Sequence, residues 1–283
     1  MPKLFQPLVL CLRTLAYGLL SFTFLLCAPA FALDKPFDHS TWDQFLKRFV
    51  NEDGEVDYRG VKQEPELLEQ YLHRLASMDP ADFPEWPREE KIAVFLNAYH
   101  AAIVSVICRH YPVSSIQAIA GVWDVDTVRL ADTPFSLNNI RIRELMGKYH
   151  DEKMHAALAC GARGCPKLSR DAFTGPRVEG QLFLAARSFV NDMKFTRIVP
   201  GEKRIGLSRI YKWYAADFRL DFGVFENDKS LSDEEYAVLS FIAHYLEDAK
   251  KIEYLEEGGY KIKYLPFDWS LNEWRRKTEN PSG

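Results

Sequence analysis

The stretch from His155 to Pro166 reads HAALACGARGCP, and it crowds a histidine, two cysteines, an arginine and two glycines together. Cys160 and Cys165 could form a short disulfide, or Cys165 could be a reactive thiol. A zinc ligand pair and two inert buried cysteines are the other readings. Pro166 suits the first turn of a helix, where its missing N–H is no loss. Cys165 would then sit near a helix start, where free N–H groups and the dipole favour a thiolate, with Arg163 assisting. A nucleophile also needs a base. His155 is the nearest histidine in sequence, and His100 is the other candidate. The spacing is not a pair of short Cys-x-x-Cys clasps, so neither a metal nor a cofactor is expected.

Two further groups carry polar chemistry inside apolar surroundings. Asn97 and His100 are three apart in an apolar helical pattern, so they share part of one face. At least one should be buried, and its plain reading is a polar pair holding a loop. Trp213 and Asp217 are four apart. The plain reading there is a core aromatic and a paired or capping acid; the functional one is a binding surface. The Asp268-Trp269-Ser270-Leu271-Asn272 run is an anchor by default. There is no Gly-rich phosphate loop, Ser nucleophile elbow or His-Glu-x-x-His helix.

The elements that must position these residues follow from apolar spacing. Helices are expected over Phe37–Val50, Glu66–Ala76, Arg88–His110 and Val178–Met193. Ser208 and the Ser232-x-x-Glu235 box open two more. Val122–Leu130 and Phe135–Leu137 suggest a hairpin, and Asn138 or Asn139 a cap for the helix that follows. His155–Cys160 is expected as a central strand, with smaller strands at Ile205–Leu207 and Tyr260–Leu265. The fold class expected is α+β: a helix-rich single domain around a small antiparallel or mixed sheet, with a papain-like arrangement as one option.

The first residues set the expected compartment. Lys3 and Arg13 precede an apolar run from Leu15 to Cys27, and Ala30-x-Ala32 fits a signal-peptidase site. Residues 1–32 are therefore expected to be a signal peptide and 33–283 one globular domain, periplasmic or secreted. An uncleaved anchor is the alternative, and no later segment is expected to cross a membrane. Cleavage removes Lys3 and Arg13, taking the formal charge from −4 to −6. A mildly acidic chain without a basic run argues against nucleic acid. Cleavage also leaves Cys108, Cys160 and Cys165, enough for one disulfide and one odd thiol, with Cys108 expected buried and inert.

Taken together, Phe95-Leu96-Asn97-Ala98-Tyr99-His100, Tyr111-Pro112-Val113, Ser136-Leu137-Asn138-Asn139-Ile140, His155 through Pro166, and Trp213-Tyr214-Ala215-Ala216-Asp217-Phe218 resemble domain of unknown function 547. The resemblance is to its exported bacterial form and runs from about residue 56 to 272. It implies little about activity, although some members join this domain to thiol-redox domains. Two positions depart from the pattern. His100 stands where relatives usually carry a second Asn, and Arg141-Ile142 stands where they typically carry Glu-His.

Two functions are expected in parallel. One is cysteine-dependent hydrolysis or acyl transfer, with Cys165 as nucleophile, His155 or His100 as base, and Asn97 in the site. The other is a non-catalytic envelope binding or scaffold domain stapled by Cys160–Cys165. Arg163, Trp213 and Asp217 would serve binding in either case. The partner would be an envelope peptide or a small molecule, with membrane contact only through an uncleaved signal segment.

Overall fold

The N-terminal elements are helices for reasons visible in their apolar spacing. In the computed structural model of the chain, which describes residues 36–222 and 231–275, α1 (Ser40–Phe49) buries Trp42, Phe45, Leu46 and Phe49 along one stripe. The expected signal peptide and its cleavage site lie outside the described residues. Asp57 caps α2 (Tyr58–Gln63) by accepting the Gly60 N–H. Next, α3 (Glu66–Ala76) buries Leu68, Tyr71 and Leu75. A single turn, α4 (Asp82–Glu85), sits in the proline-rich connector.

The longest helix, α5 (Arg88–His110), is buried from Glu90 to Ile107 except at Lys91. By length and composition it is apolar enough to span a membrane, contrary to the expectation for later segments, but it is the core of this fold. Its polar side chains must therefore be satisfied from within. Glu90 accepts the Phe37 N–H at 2.7 Å and also the Gly175 amide. Asn97 receives the Phe173 N–H on Oδ1 at 3.0 Å and donates from Nδ2 to the Phe173 carbonyl at 2.8 Å. The same amide lies 3.1 Å from Nδ1 of His39, which is 2.8 Å from the Tyr71 hydroxyl. His100 accepts the Ala159 N–H on Nε2 at 3.1 Å.

After α5, β1 (Asp126–Leu130) and β2 (Thr133–Ser136) form an antiparallel hairpin. The first strand starts later than expected because Gly121–Val125 closes into turns. Residues Asn139–Met146 form a π-helix, and neither asparagine caps it. Ser136 Oγ accepts the Asn139 N–H instead, while Asn138 reaches Asp124 and Arg141. After α6 (Gly147–Tyr149), the strand expected at His155–Cys160 is absent. Asp151 accepts the Lys153 N–H and turns the chain into α7 (Met154–Ala157), so His155 is helical.

The C-terminal part begins with α8 (Val178–Asn191). A three-stranded sheet then joins β3 (Thr196–Arg197) antiparallel to β4 (Arg204–Leu207). Ser208 caps α9 (Arg209–Trp213), and α10 (Ala215–Phe222) follows. The capping box of Ser232 and Glu235 opens α11 (Asp233–Tyr245), and Asp248 caps α12 (Ala249–Glu257). Last, β5 (Lys261–Tyr264) pairs parallel to β4. Helices with small sheets make an α+β fold. One apolar cluster surrounds α5, and a second centres on Tyr211, Phe218 and Phe241. The described residues fall within one compact unit.

The segment after β5 straps distant parts together. Asn272 accepts the Val56 N–H on its carbonyl, and the Trp274 N–H returns to the Val56 carbonyl. The Leu271 N–H donates to Ser114, and the Asn272 side chain accepts the Tyr58 hydroxyl at 2.6 Å.

Replacing Asn97 by Ala orphans the N–H and carbonyl of Phe173 in a buried place. The expected loss is about 2–4 kcal/mol, measured as a lower denaturant midpoint at unchanged slope. An unchanged midpoint would show that water or a neighbour replaces the amide.

Burial lowers the His100 pKa from 6.5 to about 4 and that of His39 to about 3. The unfolded chain takes up these protons near pH 6.5, whereas the folded chain refuses them until lower pH. Stability is therefore full above pH 6.5 and declines as pH falls toward 4, by about 3 kcal/mol from His100 alone. Urea titrations at pH 7.5 and 4.5 should show this loss. The His100→Phe variant should show a smaller difference between the two pH values.

Candidate functional site

Cys160 and Cys165 are joined in a disulfide, with Cα atoms 5.8 Å apart. The six-residue ring requires Gly161 at φ 78°, in the left-handed region that favours glycine. A Cβ there would come within 2.6 Å of the Ile107 side chain on α5, so the ring is pressed against the core. No helix follows it. Residues 166–169 are irregular, and the chain turns helical again only at Gly175. The expectation that Cys165 begins a helix is therefore incorrect, and the dipole argument for its thiolate goes with it. Pro166 lies in this irregular stretch, where its missing N–H breaks no helix or strand hydrogen bond.

The ring holds the C-terminal strap. Arg163 donates its backbone N–H to Ser270 at 2.8 Å, Gly164 to Asp268 at 2.7 Å, and Asn272 donates back to Gly161 at 3.1 Å. The Arg163 guanidinium lies 2.5 Å from Glu55 and also donates to the Glu273 carbonyl. Arg163 thus fastens the strap. Beside the ring lies a groove of about 260 Å³, lined by Pro166, Lys167, Phe173, Leu184, Ala185 and Phe189 among others.

The structure brings together only part of the predicted set. Asn97 and His100 hold backbone on the two sides of the ring, at Phe173 and Ala159. Among the described residues no hydrogen bond links the Cys165 sulfur to a histidine, and its exposure is 6%. Cys108 is a free, half-buried thiol whose pKa burial pushes up to about 12. Trp213 lies against Phe267 and Trp269, with ring centroids 4.9 and 5.9 Å away.

His155 and Asp217 do meet. The His155 Nε2–H donates to Asp217 Oδ2 at 2.8 Å, because an ionised carboxylate can only accept. Tyr214 stacks flat on the imidazole, with centroids 4.3 Å apart and planes 6° apart. Arg141 donates from Nη1 to the Tyr214 hydroxyl at 2.5 Å and from Nη2 to Asn138 Oδ1 at 3.1 Å. The cluster runs from a buried imidazole to an acid whose side chain is 36% exposed. Burial holds the His155 pKa below the ordinary histidine value, against the pull of Asp217. The His155 hydrogen bond holds the Asp217 pKa below the usual carboxylate value, with Arg141 and His150 adding to it through space.

His155 Nδ1 is buried without a partner. The same holds for Nε2 of His39 and Nε1 of Trp42. What the His155 imidazole holds is Asp217. Sequence reasoning singled out His155 and Asp217 but assigned them to different places. It noticed Arg141 only as a departure, and it missed His39, which lies outside every motif. Among the described residues no group of three or more metal-ligating side chains forms.

Comparison with known proteins finds no match among curated proteins and none among solved structures. Residues 83–190, the stretch that supplies α5, the disulfide ring, His155 and nearly all of α8, are similar to the family described as protein of unknown function, DUF547.

Proposed function

We propose that the chain is a non-catalytic binding domain of the bacterial envelope, exported through its apolar leader and made rigid by the Cys160–Cys165 disulfide. The observation that carries this reading is the state of Cys165. Its sulfur is bonded to Cys160, and the histidine expected to activate it donates instead to Asp217. Cysteine-dependent hydrolysis or acyl transfer needs a thiolate within reach of a base, and this arrangement offers neither. Asn97, His100 and Arg163 all hold backbone or ion-pair partners. Asp217 and Arg141, with the exposed ring of Trp213 nearby in sequence, are the groups left to face a ligand. A disulfide also fits an oxidising compartment.

Alkylation of native exported protein, followed by mass spectrometry without reduction, tests this. The expected result is a linked Cys160–Cys165 peptide and an N-terminus at Leu33. Cys108 should be modified only after unfolding, because its thiolate is disfavoured by burial. A Cys165 alkylated in the native protein would overturn the reading in favour of the thiol enzyme.

A further inference from the structure

The charges at the open end of the His155 cluster are arranged unusually. Asp217 uses Oδ2 for His155, and Oδ1 has no hydrogen-bond partner among the described residues. Arg141 donates to a phenol and an amide oxygen, and no ion pair joins it to a carboxylate among those residues. Yet Tyr214 joins their surroundings: its hydroxyl takes the Arg141 hydrogen bond, and its ring lies flat on the His155 imidazole that holds Asp217, where Arg141 also acts on the carboxylate through space. The two opposite charges thus sense each other without touching, each held in place by a neutral group. His155 fixes the acid; Tyr214 and Asn138 fix the guanidinium, whose carbon is 5.0 Å from the Tyr214 ring centroid. Arg141 keeps unused N–H donors from its five. Two exposed apolar side chains belong to the same elements: Ile142, next to Arg141, and Leu220, one turn after Asp217.

We propose that Arg141 and Asp217 bind the backbone of a free apolar amino acid, Arg141 taking the carboxylate and Asp217 the ammonium. Charge complementarity selects this ligand. An anion without an ammonium would meet Asp217, and a cation without a carboxylate would meet Arg141. A zwitterion satisfies both, and forked N–H donors suit a carboxylate. Ile142 and Leu220 supply apolar contact for the side chain. The proposal rests on the binding-domain reading, and it names the class of ligand for that site.

Calorimetric titration of the mature, oxidised protein with leucine, N-acetylleucine and leucine amide tests it. Leucine should bind saturably, and each blocked analogue should bind at least about tenfold more weakly. Asp217→Asn preserves the acceptor for His155 and should weaken leucine binding by a similar factor. Arg141→Lys keeps the charge but loses the fork, and should fall between. Melting curves verify that each variant is folded, and the analogue series on the unaltered protein needs no variant. Absence of saturable leucine binding would overturn the proposal. So would equal binding of all three compounds, or leucine binding unchanged in folded Asp217→Asn. The disulfide state is read separately by mass spectrometry, so failure here and failure of the binding-domain reading are distinguishable.

Discussion

The fold depends on one constraint: a helix buried along almost its whole length cannot leave any polar side chain unpaired. In α5 that constraint decides where other segments go. Glu90 collects the amides of Phe37 and Gly175. Asn97 closes on both backbone groups of Phe173, and His100 takes the amide of Ala159. Each bond is modest once exchange with water is counted, but breaking one leaves a buried group stranded. The polar residues of α5 therefore act as addresses. They bring the chain before and after the disulfide ring to fixed places on one rod.

The ring between Cys160 and Cys165 extends that order outward. One side presses Gly161 against Ile107 on α5, and the other presents three backbone groups to the strap. A cysteine in such a place is structural by geometry. The polar cluster around His155 is different, because its imidazole holds a half-open acid rather than backbone. A fold that uses Asn97 and His100 to hold backbone and His155 to hold an exposed carboxylate has separated its scaffold from its surface chemistry.

Much of the scaffold was legible in the sequence. The apolar stripe of α1, the length of α5 and the capping box of α11 rest on local spacing, which the structure obeys. The disulfide was one of the readings open from its compartment and spacing. The element at His155 was not legible, because a four-residue apolar run suits a strand or a helical turn equally. Asp151, just upstream, decided it through a hydrogen bond that periodicity does not register. The pairing of His155 with Asp217 spans 62 residues and depends on how α10 lies against α7, which no local pattern encodes. Arg141 was visible only as a mismatch with a resemblance, and its role emerges from Tyr214, a residue that reads as ordinary core.

The strap after β5 has a consequence for the order in which the chain folds. Its hydrogen bonds tie Asn272 and Trp274 to Val56, and Leu271 to Ser114, across most of the polypeptide. Closing contacts between such remote residues carries the entropy of the whole intervening loop and slows their formation. The local contacts of the α5 cluster can assemble first. The ring and Val56 gain their strand-like partners only when residues 268–274 dock. Until then the edge of the ring stays open, and the partly folded protein presents unpaired backbone there, a surface with which neighbouring chains can pair.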